Sequence, residues 1–221
     1  MLAFVPNSQS SGVECTMHKH SLVRNTPQYA ALSYCWGDEN DRRDIIVNNQ
    51  TVTVTASLEK ALRHLRTSLG EVAFAWADAL CINQGDKQER NLQVRLMTQI
   101  YQKAQTVFAW LGEPSNASDA RSVVPAIKAL AQSSIQVRGH VADSAISSSC
   151  TGLLMLLNCP LWQRRWIIQE LTAASNVKIL YDEAKISWHE LTKAYAICSV
   201  SRFWLPEHVV SATSYRQISD L

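Results

Sequence analysis

No stretch of the 221-residue sequence comes near the run of about 20 apolar residues that a membrane-spanning helix needs. Charge of one sign is missing as well. Lys and Arg number 21 against 19 Asp and Glu, a formal charge of +2, which gives no basic footprint for nucleic acid or an anionic membrane surface. There is no CxxC, no HExxH and no paired Cys/His spacing, so the common zinc frameworks are excluded and no metal is expected. Neither GxGxxG nor GxxxxGK[ST] occurs, which removes the Rossmann fingerprint and the P-loop. Residues Met1 to Ser11 lack the basic start and apolar middle of a secretion signal. The expectation is a cytoplasmic chain with no membrane span and no resident prosthetic group.

The six cysteines, Cys15, Cys35, Cys81, Cys150, Cys159 and Cys198, are widely spaced. Without a secretion signal or dense spacing, an even count does not argue for disulfides, and free, mostly buried thiols are expected. Apolar residues make up 47% of the chain, enough for a sizeable core and consistent with a single domain over 1–221.

Taken in order, Gly12 to Val23 alternates as a half-exposed strand, with His18 and His20 on one face. Ala30 to Tyr34, largely apolar, reads as a buried central strand. The polar loop Trp36-Gly37-Asp38-Glu39-Asn40-Asp41 follows it. In an open α/β sheet, ligands sit at the loops after the carboxyl ends of strands, and a glycine such as Gly37 lets backbone come close to one.

Asp44 to Val47 and Thr51 to Val54 flank an Asn pair and predict a hairpin, an insertion near 41–56. Ser57 is placed to cap a helix with Leu58, Leu62 and Leu65 inward, ending at Gly70. Val72 to Ala77 predicts a second buried strand, and Asp78 to Asp86 a second polar loop. Lys87 to Ala104 is the clearest helix, with a stripe through Leu92, Leu96 and Ile100. Thr106 to Leu111 predicts a third strand. Residues 113–158 form a Ser/Ala-rich insertion with one helix near Ala120 to Gln132 and an otherwise mobile course. Pro160 is placed to start a helix, Asn176 to Tyr181 a strand, Ser187 to Val200 a helix; from Ser211 onward the chain is expected to be peripheral. Strands alternating with helices predict an α/β fold, a mainly parallel sheet with helices on both faces.

Arg164-Arg165-Trp166-Ile167-Ile168-Gln169-Glu170-Leu171 combines two cations, an indole and a carboxylate. Spaced by four, Trp166 and Glu170 share a helix face, a plausible place for a flat, phosphate-bearing ligand. The same residues also read as ordinary core beside a solvated acid.

Three blocks resemble the fungal heterokaryon-incompatibility (HET) domain: Ala31 to Asp38; Trp76 to Gln84 with Glu89, Arg90, Gln93, Met97, Ile100, Tyr101 and Ala104 in step; and Arg165, Trp166, Gln169 and Glu170. Ala77 and Ala79 depart from the more usual residues. HET domains are held to be distant relatives of TIR domains. Leu32-Ser33-Tyr34, Gly37-Asp38-Glu39, Gly85-Asp86 and Trp166-x-x-x-Glu170-Leu171 resemble the TIR strand ends, loops and catalytic helix.

The resemblance implies a TIR/flavodoxin-like fold and NAD+, or a related nucleotide, as substrate. Glu170 would be the catalytic glutamate of an NAD+ glycohydrolase in programmed cell death. Ser33, Tyr34, Trp36, Gly37, Asp38, Asp78, Asn83, Arg165 and Trp166 would line the nucleotide site. A homo-oligomer or an activating partner domain is implied too. One carboxylate suffices, because nicotinamide leaves neutral and the developing charge is on the ribose. Two other readings stand beside it: a non-catalytic homotypic assembly module, and a thiol enzyme using Cys35 or Cys81, although no histidine lies in either loop.

Overall fold

The computed structural model describes residues 1–5, 12–70, 72–114, 117–132 and 144–200, with backbone alone at 117–121, 144–148 and 200. Residues 133–143 of the Ser/Ala-rich insertion, part of the course expected to be mobile, and the tail after Val200, including the stretch expected to be peripheral, lie outside the described residues. The strands are β1 (Leu2–Phe4), β2 (Glu14–Met17), β3 (Tyr29–Tyr34), β4 (Arg42–Val47), β5 (Gln50–Thr55), β6 (Phe74–Trp76), β7 (Thr106–Trp110), β8 (Val177–Tyr181) and β9 (Ala184–Ser187). The α-helices are α1 (Ala56–Ser68), α2 (Asp78–Cys81), α3 (Lys87–Lys103), α4 (Ala117–Gln132), α5 (Ser144–Leu157), α6 (Ile167–Thr172) and α7 (Trp188–Val200). The chain is α/β and divides into two compact units, 1–110 with 169–177, and 111–168 with the chain from 178.

In the first unit the strands run in the order β5-β4-β2-β1-β6-β3-β7. All six residues of β3 are buried, as expected of a strand covered on both faces. Parallel neighbours flank it: Ala31 lies opposite Trp76 of β6, and Ser33 and Tyr34 lie opposite Ala109 and Trp110 of β7. The Tyr29 hydroxyl donates to the Ile100 carbonyl at 2.5 Å and the Tyr101 hydroxyl to the Leu32 carbonyl at 3.1 Å, fastening α3 to β3. Trp110 stacks on His64 of α1, ring centroids 4.7 Å apart. Its neighbour Ala109 must point the other way, as must Ala109's register partner Ser33, whose hydroxyl reaches Glu170 of α6. Helices α1 and α6 therefore flank opposite faces.

Beyond this core the sheet is mixed, not mainly parallel. β1 pairs antiparallel with β2 and β6, β2 pairs parallel with β4, and β4 pairs antiparallel with β5. The predicted hairpin forms, with Asn48 and Asn49 both at positive φ and a two-residue loop between Val47 and Gln50. It is no appendage, because Ile46 and Val47 pair with Glu14 and Cys15 and extend the sheet. Helix α1 is capped by Thr55, whose side chain accepts from the Leu58 amide, and not by Ser57. Helix α3 buries Met97, Ile100 and Tyr101 but leaves Leu92 61% exposed, so the expected leucine stripe covers only its second half.

The second unit holds α4, α5, α7 and the β8–β9 hairpin. Its apolar side chains include Val124, Ile127, Leu153, Leu156, Ile186, Leu191 and Ala194. The 113–158 segment contributes two helices where one was expected. Pro160 opens a short 3-10 turn through Gln163 instead of the glutamate helix, and the Trp162 indole donates to the Leu156 carbonyl at 2.7 Å. Cys150 of α5 and Cys198 of α7, both fully buried, are joined as a disulfide; Cys15, Cys35, Cys81 and Cys159 are free. The expectation of free thiols thus fails for one pair, because the fold brings together two cysteines 48 residues apart.

Closing a loop of that size should add about 4 kcal/mol by restricting the unfolded chain. Reduction, or Cys198→Ala, should lower the urea midpoint accordingly. A midpoint unmoved by reductant would show that the bond carries no stability.

Burial, with Cys81 and Glu14 nearby, pushes the Cys15 thiol up to about 11, and burial pushes the Tyr29 phenol up to about 12. Both groups bind their protons more tightly folded than unfolded, so their contribution is complete below about pH 9 and is lost as pH rises toward 12. Chemical denaturation between pH 8 and pH 11 should show falling stability, and Tyr29→Phe should flatten the slope at the alkaline end.

Candidate functional site

The site begins with Ser33, one residue from the carboxyl end of β3. Its side chain has no contact with solvent, and its hydroxyl donates to Glu170 Oε2 at 2.5 Å. Glu170 lies in the part of α6 that belongs to the first unit and is 1% exposed. The alternative of a solvated surface acid is therefore excluded. A buried carboxylate is costly unless it is hydrogen-bonded, and the Ser33 hydroxyl supplies one such bond.

Three residues beyond Ser33 the chain has left β3 and Trp36 emerges, 40% exposed. Its indole Nε1 donates to Asp78 Oδ2 at 3.0 Å. Asp78 is 8% exposed and opens α2 at the carboxyl end of β6, the strand beside β3. The Asp78 Oδ1 accepts from the Ala79 amide at 2.8 Å, and its carbonyl accepts from Gln84 Nε2 at 3.0 Å. This aspartate fixes one edge of an aromatic ring that otherwise stands in solvent, a suitable platform for a flat base.

Gly37 follows with φ +78°. A Cβ there would stand 2.8 Å from Ser57 Cβ, and Ser57 Oγ donates to the Cys35 carbonyl at 2.6 Å. The close backbone approach foreseen at Gly37 is thus made to the first turn of α1, which holds the loop after β3 in place.

The remaining expected site residues separate into groups. Tyr34 is buried to 1% exposure on β3 and presents no surface to a ligand. Asp38 Oδ1 accepts from the Asn40 amide and side chain, at 2.9 and 3.1 Å, closing its own turn. Asn83 is similarly engaged, its Oδ1 accepting from the Gly85 amide at 3.1 Å and its amide donating to Glu89 Oε1 at 3.1 Å. Arg165 and Trp166 belong to the second unit and both are exposed, Trp166 to 43%. Trp166 precedes Ile167, the first helical residue, so the shared helix face with Glu170 does not form. Ile167 and Leu171 are ordinary core, at 3% and 2% exposure.

Ser57, expected only as a helix cap, and Gln84, noted only within the second resembling block, were not foreseen as braces of the site. The thiol reading loses ground, since burial raises the Cys81 thiol above its ordinary value despite smaller opposing effects from the Met1 amine and the Ala77 backbone. Among the described residues no three His, Cys, Asp or Glu side chains cluster to hold a metal, and no helix is long and apolar enough to cross a membrane.

Residues 29–170, which contain every element of this geometry, match the family described as Heterokaryon incompatibility protein (HET). The chain belongs to that family. It is also 42% identical over 98 residues to heterokaryon incompatibility protein 6, OR allele, of Neurospora crassa, a match covering 39% of this chain and 14% of that protein. No solved structure matches.

Gly37→Ala should destabilise the protein by roughly 1–3 kcal/mol, because it combines a left-handed φ with a clash at Ser57. Adding Ser57→Gly should return part of that loss in urea unfolding. No recovery in the double variant would mean the contact is not the source of the strain.

Proposed function

We propose that this chain is a cell-death domain of heterokaryon incompatibility that cleaves NAD+ at the nicotinamide–ribose bond, with Glu170 as its catalytic carboxylate. One observation carries the reading: the glutamate singled out by the TIR resemblance is hydrogen-bonded to Ser33, near the carboxyl end of the central parallel strand. Numbered by chain position, the three parallel strands β6, β3 and β7 stand second, first and third. We take this order as a flavodoxin-like start, in which the ligand crevice would lie beside the first strand at its carboxyl end. Trp36, steadied by Asp78, supplies a ring face at the same end.

The chemistry asked of Glu170 is modest. As the C1′–N bond breaks, its electron pair leaves with nicotinamide, which departs neutral and needs no acid. Positive charge develops on the ribose, where a carboxylate stabilises the transition state more than the ground state. Water adds to C1′ and a proton is released to solvent. At 1% exposure, Glu170 meets a nucleotide only after its cover opens. A slow isolated chain, accelerated by a partner or by self-association, follows from that closure.

A second reading, an assembly module without catalysis, draws on Leu92, which stands 61% exposed on α3.

Glu170→Gln preserves an acceptor for the Ser33 hydroxyl while removing the charge. Nicotinamide release from NAD+, followed by chromatography, should fall by about 10²-fold or more with the circular dichroism unchanged. Turnover undiminished in this variant sinks the catalytic reading. Cell death that persists in a fungal host expressing it moves the assignment to assembly.

A further inference from the structure

A cavity of about 480 Å³ lies within the second unit, between α4 and β9. It is lined by Val124, Pro125, Lys128, Ala129 and Gln132 of the helix and by Ala184 and Lys185 of the strand. Ala184 and Lys185 are consecutive strand residues, so their side chains point to opposite faces of the hairpin. A groove lined by both runs along the edge of β9, not over one face.

β8 is the strand neighbour of β9, which ends the strand order. The hairpin register tells which β9 backbone groups face outward. Tyr181 and Ala184 close the two-residue loop Asp182-Glu183, so they form the hydrogen-bonded pair next to the turn. Leu180 and Lys185 are then a non-hydrogen-bonded pair, Ile179 and Ile186 a bonded one, and Lys178 and Ser187 again non-bonded.

The alternation leaves the N–H and C=O of Lys185 and Ser187 facing away from β8. Ser187 confirms it, because its amide donates to the Glu190 side chain, Oε2 at 2.7 Å. The outward backbone pair of Lys185 has no hydrogen-bond partner among the described residues, and it lies where the groove is lined by the same residue.

The groove also has a sign. Lys128 and Lys185 flank an apolar floor of Val124, Pro125, Ala129 and Ala184. Glu190 helps to balance Lys128: burial raises its carboxyl, but the Ser187 amide and hydroxyl together with Lys128 and His189 outweigh that and hold it below the ordinary range. Lys185 is exposed and makes no ion pair among the described residues.

We propose that the groove between α4 and the outer edge of β9 binds an extended peptide as an added strand, one whose acidic side chains alternate with small apolar ones. The peptide backbone exchanges two hydrogen bonds with Lys185. Apolar side chains settle on Val124, Pro125 and Ala129 of the helix, and the carboxylates, on the opposite face of the added strand, meet Lys185. Sheet-edge addition draws affinity from main-chain hydrogen bonds and specificity from alternate side chains, so the charge pattern selects the partner.

The probe is a fluorescein-labelled heptapeptide of alternating glutamate and valine, titrated with the full chain and read by fluorescence anisotropy. Saturable binding is expected, weakened about tenfold by Lys185→Glu and by a probe N-methylated along its backbone. A second variant, Ala129→Arg, fills the groove from the helix side and should weaken binding with the thermal unfolding of the protein unchanged. Glu170→Gln should bind the probe as the parent does, which separates this surface from the proposed catalytic site. Absence of saturation up to millimolar protein, or equal binding of the N-methylated probe, would overturn strand addition; equal potency of sodium decanoate as a competitor would reassign the groove to simple carboxylates.

Discussion

The bond between Ser33 and Glu170 is the constraint around which the first unit is arranged. A carboxylate with 1% exposure can be kept in a protein interior only where donors meet it, and here a serine on the most buried strand does so. That strand must therefore stay in register. β6 and β7 hold it from the two sides, α3 fastens it through two tyrosine hydroxyls, and α1 secures the loop that leaves it through Ser57. The apolar run from Tyr29 to Leu32 gives β3 its burial, and the serine that interrupts the run gives the glutamate its partner.

The two carboxylates at this end of the sheet are held differently. Glu170 is enclosed against the face of β3, whereas Asp78 sits at the carboxyl end of β6 with its oxygens committed to an indole and a backbone amide. Both oxygens of Asp78 are thus occupied as hydrogen-bond acceptors. Asp78 is thereby a positioning residue for the Trp36 ring, and Glu170 is the group with a chemical part in the proposed reaction.

Much of the first unit was legible from periodicity. The runs at Ala30 to Tyr34 and Thr106 to Leu111 are strands because buried parallel strands need continuous apolar sequence. The Asn48-Asn49 pair forms its turn because asparagine tolerates positive φ. β1 escaped notice because three residues show no period, and β9 because Asp182-Glu183 is a weak turn mark even though Asp182 adopts φ +52°. The mixed pairing around β1 and β2 was hidden too, since alternation along a strand does not say which neighbour it will find. At the site, family resemblance identified the glutamate and local pattern identified the loops. The role of Ser57 as a brace follows from its bond to the Cys35 carbonyl, a contact that no local window contains, whereas Asp38, Asn83 and Gln84 bond to close neighbours, and loop sequence alone does not say which polar side chain will close a turn.

The tether on Trp36 has an optical side. Of the seven tryptophans in the chain, Trp76, Trp110 and Trp162 are at 5%, 3% and 4% exposure, while Trp36 and Trp166 have two-fifths of their surface in water. Among the described residues, emission at the long-wavelength edge of the spectrum is consequently weighted toward these two indoles. One of them is anchored to a carboxylate at the carboxyl end of the central strands, so the chain carries its own chromophore at the proposed ligand crevice.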